Sequence, residues 1–153
     1  MYYYFRNKSD FASAVVDEFL MKDISELWLA PLKTCTDPIR CLRRIIKLSV
    51  GGSAMPIHAS NASLIRLSLE MSALDRSFQR KFTRMRLSFT DAVASALGRG
   101  QKSVSPRLDV RQVARHLLVL MIGGLVFAIM NGERGLARED QRQLNQLLES
   151  VRG

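Results

Sequence analysis

An uninterrupted apolar run near the C-terminal end places the strongest constraint on how this chain can fold. The 14 residues from Leu117 to Met130 include no charged side chain. They extend a helical pattern that begins after Asp109, and they fall short of the about 20 residues that a helix needs to cross a bilayer. We therefore predict a helix buried on most of its circumference, and we expect no membrane partner.

Helical periodicity runs through nearly the whole chain, which predicts an all-α fold. Pro31 should end the first helix because proline disfavours helical geometry in the residue before it. Asp37, Asp109 and either Ser72 or Asp75 stand as N-caps before later helices. Residues 55–60 are interpreted as a loop. The predicted helices cover residues 9–30, 38–50, 61–71, 76–97, 110–131 and 138–151.

The charge and the cysteines narrow the class of protein. A net charge of +9 favours an acidic partner, with a merely soluble basic surface as the alternative. The densest basic face follows Asp75, with arginines at 76, 80 and 84. Cys35 and Cys41 lack a metal-site spacing and are expected to be free thiols in a reducing cytoplasm, although a disulfide between them stays open. No secretory signal pattern begins the chain, so we expect one cytoplasmic domain after residue 8.

The residue patterns of common catalytic sites are missing. His58 and His116 are the only histidines, and neither belongs to an HExxH or other metal spacing. Neither a GxSxG motif nor a phosphate-binding glycine loop occurs. We expect no catalytic residues, no metal, no cofactor and no enzymatic activity.

The first residues carry an aromatic and basic motif, which reads Tyr2-Tyr3-Tyr4-Phe5-Arg6-Asn7-Lys8-Ser9-Asp10-Phe11. It resembles Y-x-[HY]-F-x-x-K, followed by an acidic and an apolar residue, which ends the helix-turn-helix of TetR-type transcriptional regulators. A second resemblance lies at 61–70, which is similar to the segment that opens the central sensing-domain helices of that family. Ala62 stands there in place of the usual cysteine.

The resemblance implies a TetR-type ligand-sensing and dimerisation domain over residues 9–153, after a remnant of the DNA-binding domain at 1–8. The residues implied to contact DNA phosphates are Tyr2, Tyr3, Tyr4 and Lys8. Since the base-reading helices of that family are missing, we expect this chain to bind DNA without sequence specificity. Either Met1 is an internal methionine taken for the start, or a fragment has lost specific binding.

The two last predicted helices carry more apolar surface than a small bundle needs to cover itself, which favours a protein partner. Gly123 and Gly124 each cost a helix about 1 kcal/mol relative to alanine, which is tolerated where another backbone comes close. The resemblance implies that these helices pair with their mates in a homodimer. The predicted interface comprises Leu117, Met121, Gly123, Gly124, Leu144, Leu147, Leu148 and Val151.

Aromatic residues at helical spacing are usually core, which is the favoured interpretation of Trp28 and of the aromatic stripe after Asp75. The alternative is a cavity for a small-molecule effector, formed by aromatic and polar residues of several helices. Its candidate lining is Trp28, His58, Arg66, Phe82, Phe89, His116 and Phe127. Arg66 stands in an apolar run at 61–71 that is predicted to be largely buried. It would therefore pair either with Glu70 or with an acidic group of the ligand.

Three functions remain as hypotheses. The resemblance implies a ligand-responsive regulator, in which an unknown effector tilts the helix at 9–30 and releases operator DNA. The second hypothesis is a ligand-binding and dimerisation module that acts without DNA. The third is a basic amphipathic bundle at a membrane surface, which requires the apolar helices to be exposed in a monomer.

Overall fold

A computed structural model of the chain describes residues 6–50, 57–100, 109–133 and 136–152, except for the side chains of residues 49, 50, 57–62 and 64. Within these ranges every element is helical, which confirms the predicted all-α class. The α-helices are α1 (Lys8–Val15), α2 (Ala30–Thr34), α3 (Pro38–Val50), α4 (Ile57–Leu74), α5 (Arg76–Arg99), α6 (Val110–Met130) and α7 (Arg138–Ser150).

Two π-helical segments, π1 (Val16–Met21) and π2 (Ile24–Leu29), join α1 to α2. Residues 8–34 therefore form one continuous helical element, which we call the N-terminal rod. The prediction that it ends at Ala30 was wrong. The N–H of Ala30 bonds back to Ser25 O, five residues earlier. Pro31 lacks the N–H that would bond back to this turn, yet Ala30 before it keeps αR geometry and the helical backbone continues to Thr34.

The predicted N-caps are confirmed by their hydrogen bonds. The carboxylates of Asp37, Asp75 and Asp109 each accept a backbone N–H from the first turn of a helix, at 3.0, 2.7 and 3.0 Å. Asn7 caps α1 through Oδ1, which accepts the N–H of Asp10 at 2.8 Å. Each cap satisfies a donor that has no partner within its helix.

Helix α4 differs from both predictions for its region. It begins at Ile57, inside the segment interpreted as a loop. A proline precedes Ile57 in the sequence and suits a helix start as well as a loop, since it lacks only an N–H that the first turn does not use. Nor is the helix largely buried, because Arg66, Leu69 and Glu70 are exposed.

The buried side chains form two clusters. The main core combines α3, α5, α6 and α7 with Leu32 of α2. The second core joins the rod to α4 and α5 through Ala12, Val16, Leu20, Ile24, Met71 and Phe78. Trp28 and Leu29, at the end of π2, pack against both clusters. The π-helical part of the rod therefore lies where the two cores meet.

The two glycines of α6 have different surroundings. A Cβ on Gly123 would have no neighbour within 4 Å, whereas a Cβ on Gly124 would overlap the buried Leu136 and lie 3.2 Å from Asp140 Oδ2. Gly124 therefore leaves room for the side chains of Leu136 and Asp140, at the start of the C-terminal helical segment, and not for the second backbone that the glycine pair predicted.

We expect alanine at Gly123 to raise the free energy of unfolding by up to about 1 kcal/mol, the difference in helix propensity. Alanine at Gly124 should lower it by about 1 kcal/mol, because overpacking outweighs the same propensity gain. Urea unfolding of the two variants at one dilute concentration makes the comparison. A stabilising Gly124→Ala would contradict the close contact with Leu136.

Candidate functional site

A cleft of about 420 Å³ opens between the N-terminal rod and α5. Its volume lies within the range of small-molecule sites, roughly 300–1,000 Å³. The cleft is lined by Asp17, Met21, Ile24, Leu29, Lys81, Arg84, Met85 and Ser88. It is the candidate binding site of the described structure.

Local helix geometry explains why these residues meet. On α5 the lining positions 81, 84, 85 and 88 share one face, since residues three and four apart are neighbours on a helix. On the rod they fall in π1 and π2. A π-helical turn re-aims side chains relative to a regular helix and is frequent at functional sites. The rod side of the cleft is therefore built from its least regular part.

Lys81 is the partly buried cation of the cleft, and its ammonium group is fully engaged. Nζ lies 2.6 Å from Asp17 Oδ1 and donates to Ser13 Oγ at 2.7 Å. It also lies 5.5 Å from the centre of the Phe78 ring. Asp17 is thus neutralised by a near neighbour, and Lys81 ties the rod to α5.

Arg84 lies one helical turn further along α5, exposed at the edge of the cleft. No hydrogen bond or ion pair joins it to another residue in the described part of the chain. Met21, Ile24 and Met85 supply apolar surface beside it. The cleft therefore combines an apolar wall with one guanidinium that has no protein partner.

The residues predicted to line a cavity do not form one common lining. Trp28 and the buried Phe89 pack edge to face, with ring centres 5.6 Å apart. Phe82 packs against the second core, and His116 and Phe127 are exposed. The side chain of His58 lies outside the described residues. None of those described lines the cleft, because aromatic residues at helical spacing fill a core as readily as a pocket.

Arg66 was also predicted to line the cavity and to be buried, and it is exposed instead. Its Nη2 donates to the backbone oxygen of Ile129 at 3.3 Å, near the C-terminal end of α6. A cation is favourable there because helix carbonyls point outward. Glu70, the predicted partner of Arg66, lies 3.5 Å from Lys8 Nζ instead.

Among the residues implied to contact phosphates, the three tyrosines lie outside the described ranges. Lys8 is the first residue of α1. Its side chain is 77% exposed and the partner carboxylate of Glu70 is 58% exposed. Exposed pairs of this kind contribute at most about 1 kcal/mol, so Glu70 holds the Lys8 side chain only weakly.

The N-terminal end of the rod is also joined to the start of α5, where the hydroxyl of Ser9 donates to Asp75 Oδ2. This hydrogen bond, with a backbone bond from Ser77, lowers the pKa of Asp75 below its ordinary value. The contact therefore stabilises the fold above the pKa of the unfolded chain and is lost as the pH falls through the lowered pKa.

We expect Ser9→Ala to raise the pKa of Asp75 toward its ordinary value, because the largest cause of its lowering is removed. Carboxyl chemical shifts of Asp75, followed by NMR through an acid titration, measure this directly. Ser25→Ala, also in the rod but without such a contact, serves as the control. An unchanged Asp75 titration in Ser9→Ala would show that the two side chains do not bond in solution.

The predicted interface residues are mostly used within the chain. Leu117, Met121, Gly124, Leu144, Leu148 and Val151 are buried, and Leu147 packs against the main core. Only Gly123 faces open space. The apolar side chains that α6 leaves exposed are different ones. They are Val119, Leu120, Phe127 and Met130, at 68, 40, 64 and 73% exposure.

Leu120, Gly123, Phe127 and Met130 are spaced three or four residues apart, so with Val119 they form one line, which we call the apolar stripe of α6. The prediction of a helix buried on most of its circumference was wrong. Only 39% of the most apolar 18-residue stretch of α6 is buried. By length and composition its 21 residues also suffice to cross a membrane, although the face opposite the stripe packs in the main core.

Cys35 and Cys41 are free and half-buried. Burial and the neighbouring thiol of Cys35 raise the pKa of Cys41 to about 11, so this thiol stays protonated near neutral pH. The described residues hold no group of three or more histidine, cysteine, aspartate or glutamate side chains that suits a metal ion.

Comparisons of the chain with models of known families, with curated proteins and with solved structures found no match. The TetR-type resemblance of the first residues therefore stays a prediction.

Proposed function

We propose that this chain is the effector-binding and dimerisation body of a ligand-responsive transcriptional regulator of the TetR type, acting as a homodimer and releasing DNA when a small molecule binds. The observation that carries the proposal is the N-terminal rod. The same helical element begins at Lys8, in the motif that resembles the family, and forms one wall of the cleft.

In this arrangement the rod connects the cleft to the motif at its N-terminal end. A molecule in the cleft contacts π1 and π2 on one side and α5 on the other. Since the rod is helical from residue 8 to residue 34, a displacement at the cleft moves its N-terminal end as well. Two polar contacts hold that end. The pair of Lys8 with Glu70 is exposed, and the hydrogen bond of Ser9 with Asp75 is partly buried. An effector that binds the displaced rod more tightly than the undisplaced rod would then raise the population of the displaced position.

The apolar stripe of α6 supports the homodimer. It exposes four large side chains on one line, and such a patch in a soluble chain favours a partner. A twofold axis would bring each stripe onto its own copy, since the interface of a symmetric dimer uses the same surface twice. Gly123, without a neighbour in its own chain, would let the two helices approach closely at the middle of the contact.

Light scattering and fluorescence anisotropy with a labelled DNA duplex test the proposal. We expect a dimer that binds DNA without sequence preference, with an affinity that falls steeply as salt is raised, because counterions leave the phosphates on binding. Lys8→Gln should weaken this binding more than Lys47→Gln, which removes an exposed lysine of α3 outside the motif.

Equal losses in the two lysine variants would mean that net charge alone attracts the DNA. A dimer with that behaviour would favour the second hypothesis, a ligand-binding and dimerisation module that acts without DNA. The pairing of Lys8 with Glu70 specifically favours this alternative, because it satisfies the described motif residue within the chain. A monomeric chain would overturn both functions.

A further inference from the structure

We propose that the cleft between the N-terminal rod and α5 binds an organic anion, a carboxylate or sulfonate carried on an aliphatic or aromatic skeleton. The inference rests on the function proposed above, whose effector it assigns to a chemical class. The anionic group would bind at Arg84, and the skeleton would lie along the apolar wall.

The apolar wall is contributed by both sides of the cleft. Met21, Ile24 and Leu29 come from the rod, and Met85 comes from α5. Two of these are methionines, whose unbranched and polarisable side chains adapt to varied ligand shapes. Ile24 belongs to the second core and Leu29 packs against both cores, so this wall is anchored in the folded structure. The wall provides affinity for hydrocarbon but no preference for charge.

The preference for an anion follows from which charged groups of the cleft already have a partner within the chain. Asp17 and Lys81 neutralise each other at 2.6 Å, and Lys81 donates its two other hydrogen bonds to the hydroxyl and the backbone oxygen of Ser13. Arg84 has no partner among the described residues, so the cleft presents one uncompensated positive charge. A guanidinium binds a carboxylate or sulfonate through two parallel hydrogen bonds. Ser88, one helical turn after Arg84, adds a hydroxyl donor to the same lining.

A cationic or neutral ligand fits this lining less well. A cation would share Asp17 with Lys81 and would be repelled by both Lys81 and Arg84, which weakens the link between rod and α5. A neutral ligand would gain only the apolar contacts. An anion, in contrast, can bind at Arg84 while the link stays intact.

The probe is decanoate, with decanamide as the uncharged analogue of the same chain length. Trp28 is the only tryptophan of the chain and precedes Leu29 of the cleft wall, so its fluorescence reports binding. We expect saturable binding of decanoate below its aggregation concentration and about tenfold weaker binding of decanamide, the effect of one hydrogen-bonded charge at an accessible site. The preference for decanoate over decanamide should become smaller at high salt, because salt screens the charge of Arg84.

Two substitutions, at Arg84 and Ser88, test whether the probes bind in the cleft, and a third at Arg86 is the control. Arg84→Gln should weaken decanoate binding by about tenfold and leave decanamide unchanged. Arg86→Gln is the matched control, because it removes an exposed arginine of the same helix outside the cleft lining. Ser88→Phe, at an exposed lining position, should fill the cleft and abolish binding of both probes. Circular dichroism shows that each variant is folded.

Equal affinity for the two probes, or equal losses in Arg84→Gln and Arg86→Gln, would overturn the proposal. So would decanoate binding that Ser88→Phe leaves intact. If the chain binds only vesicles that contain phosphatidylglycerol and not free decanoate, the anionic surface of a membrane replaces the soluble ligand. If the chain dimerises but binds no decanoate, only the proposed effector class is refuted. If the chain is a monomer that binds decanoate, the proposed regulatory function is refuted and the anion-binding cleft is supported.

Discussion

Replacing Phe127 with aspartate is expected to turn the proposed homodimer into monomers, with a dissociation constant at least about 100-fold higher. Phe127 lies on the apolar stripe of α6 and is 64% exposed in the isolated chain. In a twofold dimer the substitution buries two carboxylates in one apolar contact, and an unpaired charge in such surroundings is strongly unfavourable. Light scattering or sedimentation over a range of concentrations measures the change.

The matched control is Leu87→Asp. Leu87 is 48% exposed and belongs to α5, not to the stripe of α6, so this variant introduces the same charge at an apolar residue outside the stripe. It should remain dimeric. Both variants should unfold in urea like the parent chain at a concentration where association is absent, because neither side chain belongs to a core. Dissociation by both variants, or by neither, would remove the stripe as the interface.

The second large effect is expected for Phe89→Ala, which should lower the free energy of unfolding by about 3–5 kcal/mol. Phe89 is fully buried in the main core, and its ring meets that of Trp28 from the rod. The substitution leaves a cavity at the place where the two cores join. We therefore expect the rod to lose protection first, visible as faster amide exchange in residues 24–34 than in α6.

Phe19→Ala is the control for the aromatic deletion. Phe19 is 55% exposed on the rod, so its removal should change the free energy of unfolding by less than about 0.5 kcal/mol. Urea denaturation followed by circular dichroism compares the two variants. A similar small loss in both would show that the rod is not held by the Phe89 contact.

Local signals in the sequence predicted most helix boundaries correctly. Asp37, Asp75 and Asp109 cap the helices that they were expected to cap, since capping depends on a side chain and the backbone a few residues away. The same signals failed beside prolines. The rod continues through Pro31, and α4 starts directly after a proline taken for part of a loop. Proline removes one donor, and the effect of that depends on where the helix begins.

The candidate site was less accessible to prediction. Arg84 belongs to the densest basic face of the sequence and is exposed, and the pattern gave no sign that it also borders a cleft. Met85 packs against the second core and lines the same cleft. Trp28 and Phe89, predicted to line a pocket, pack against each other. Residue type and spacing place a side chain on a face of a helix. They do not say whether a neighbouring element covers that face, leaves a gap over it or stands away from it.

The sequence alone therefore determined the all-α class, the order of the helices and the apolar line that each carries, because these follow from interactions within a few residues. Only the tertiary structure decided that α7 and α5 cover one side of α6 and leave Val119, Leu120, Phe127 and Met130 exposed. It also decided that π-helical turns of the rod lie against α5 around a cleft. Both outcomes depend on how distant segments share a limited apolar surface, and no local pattern records that.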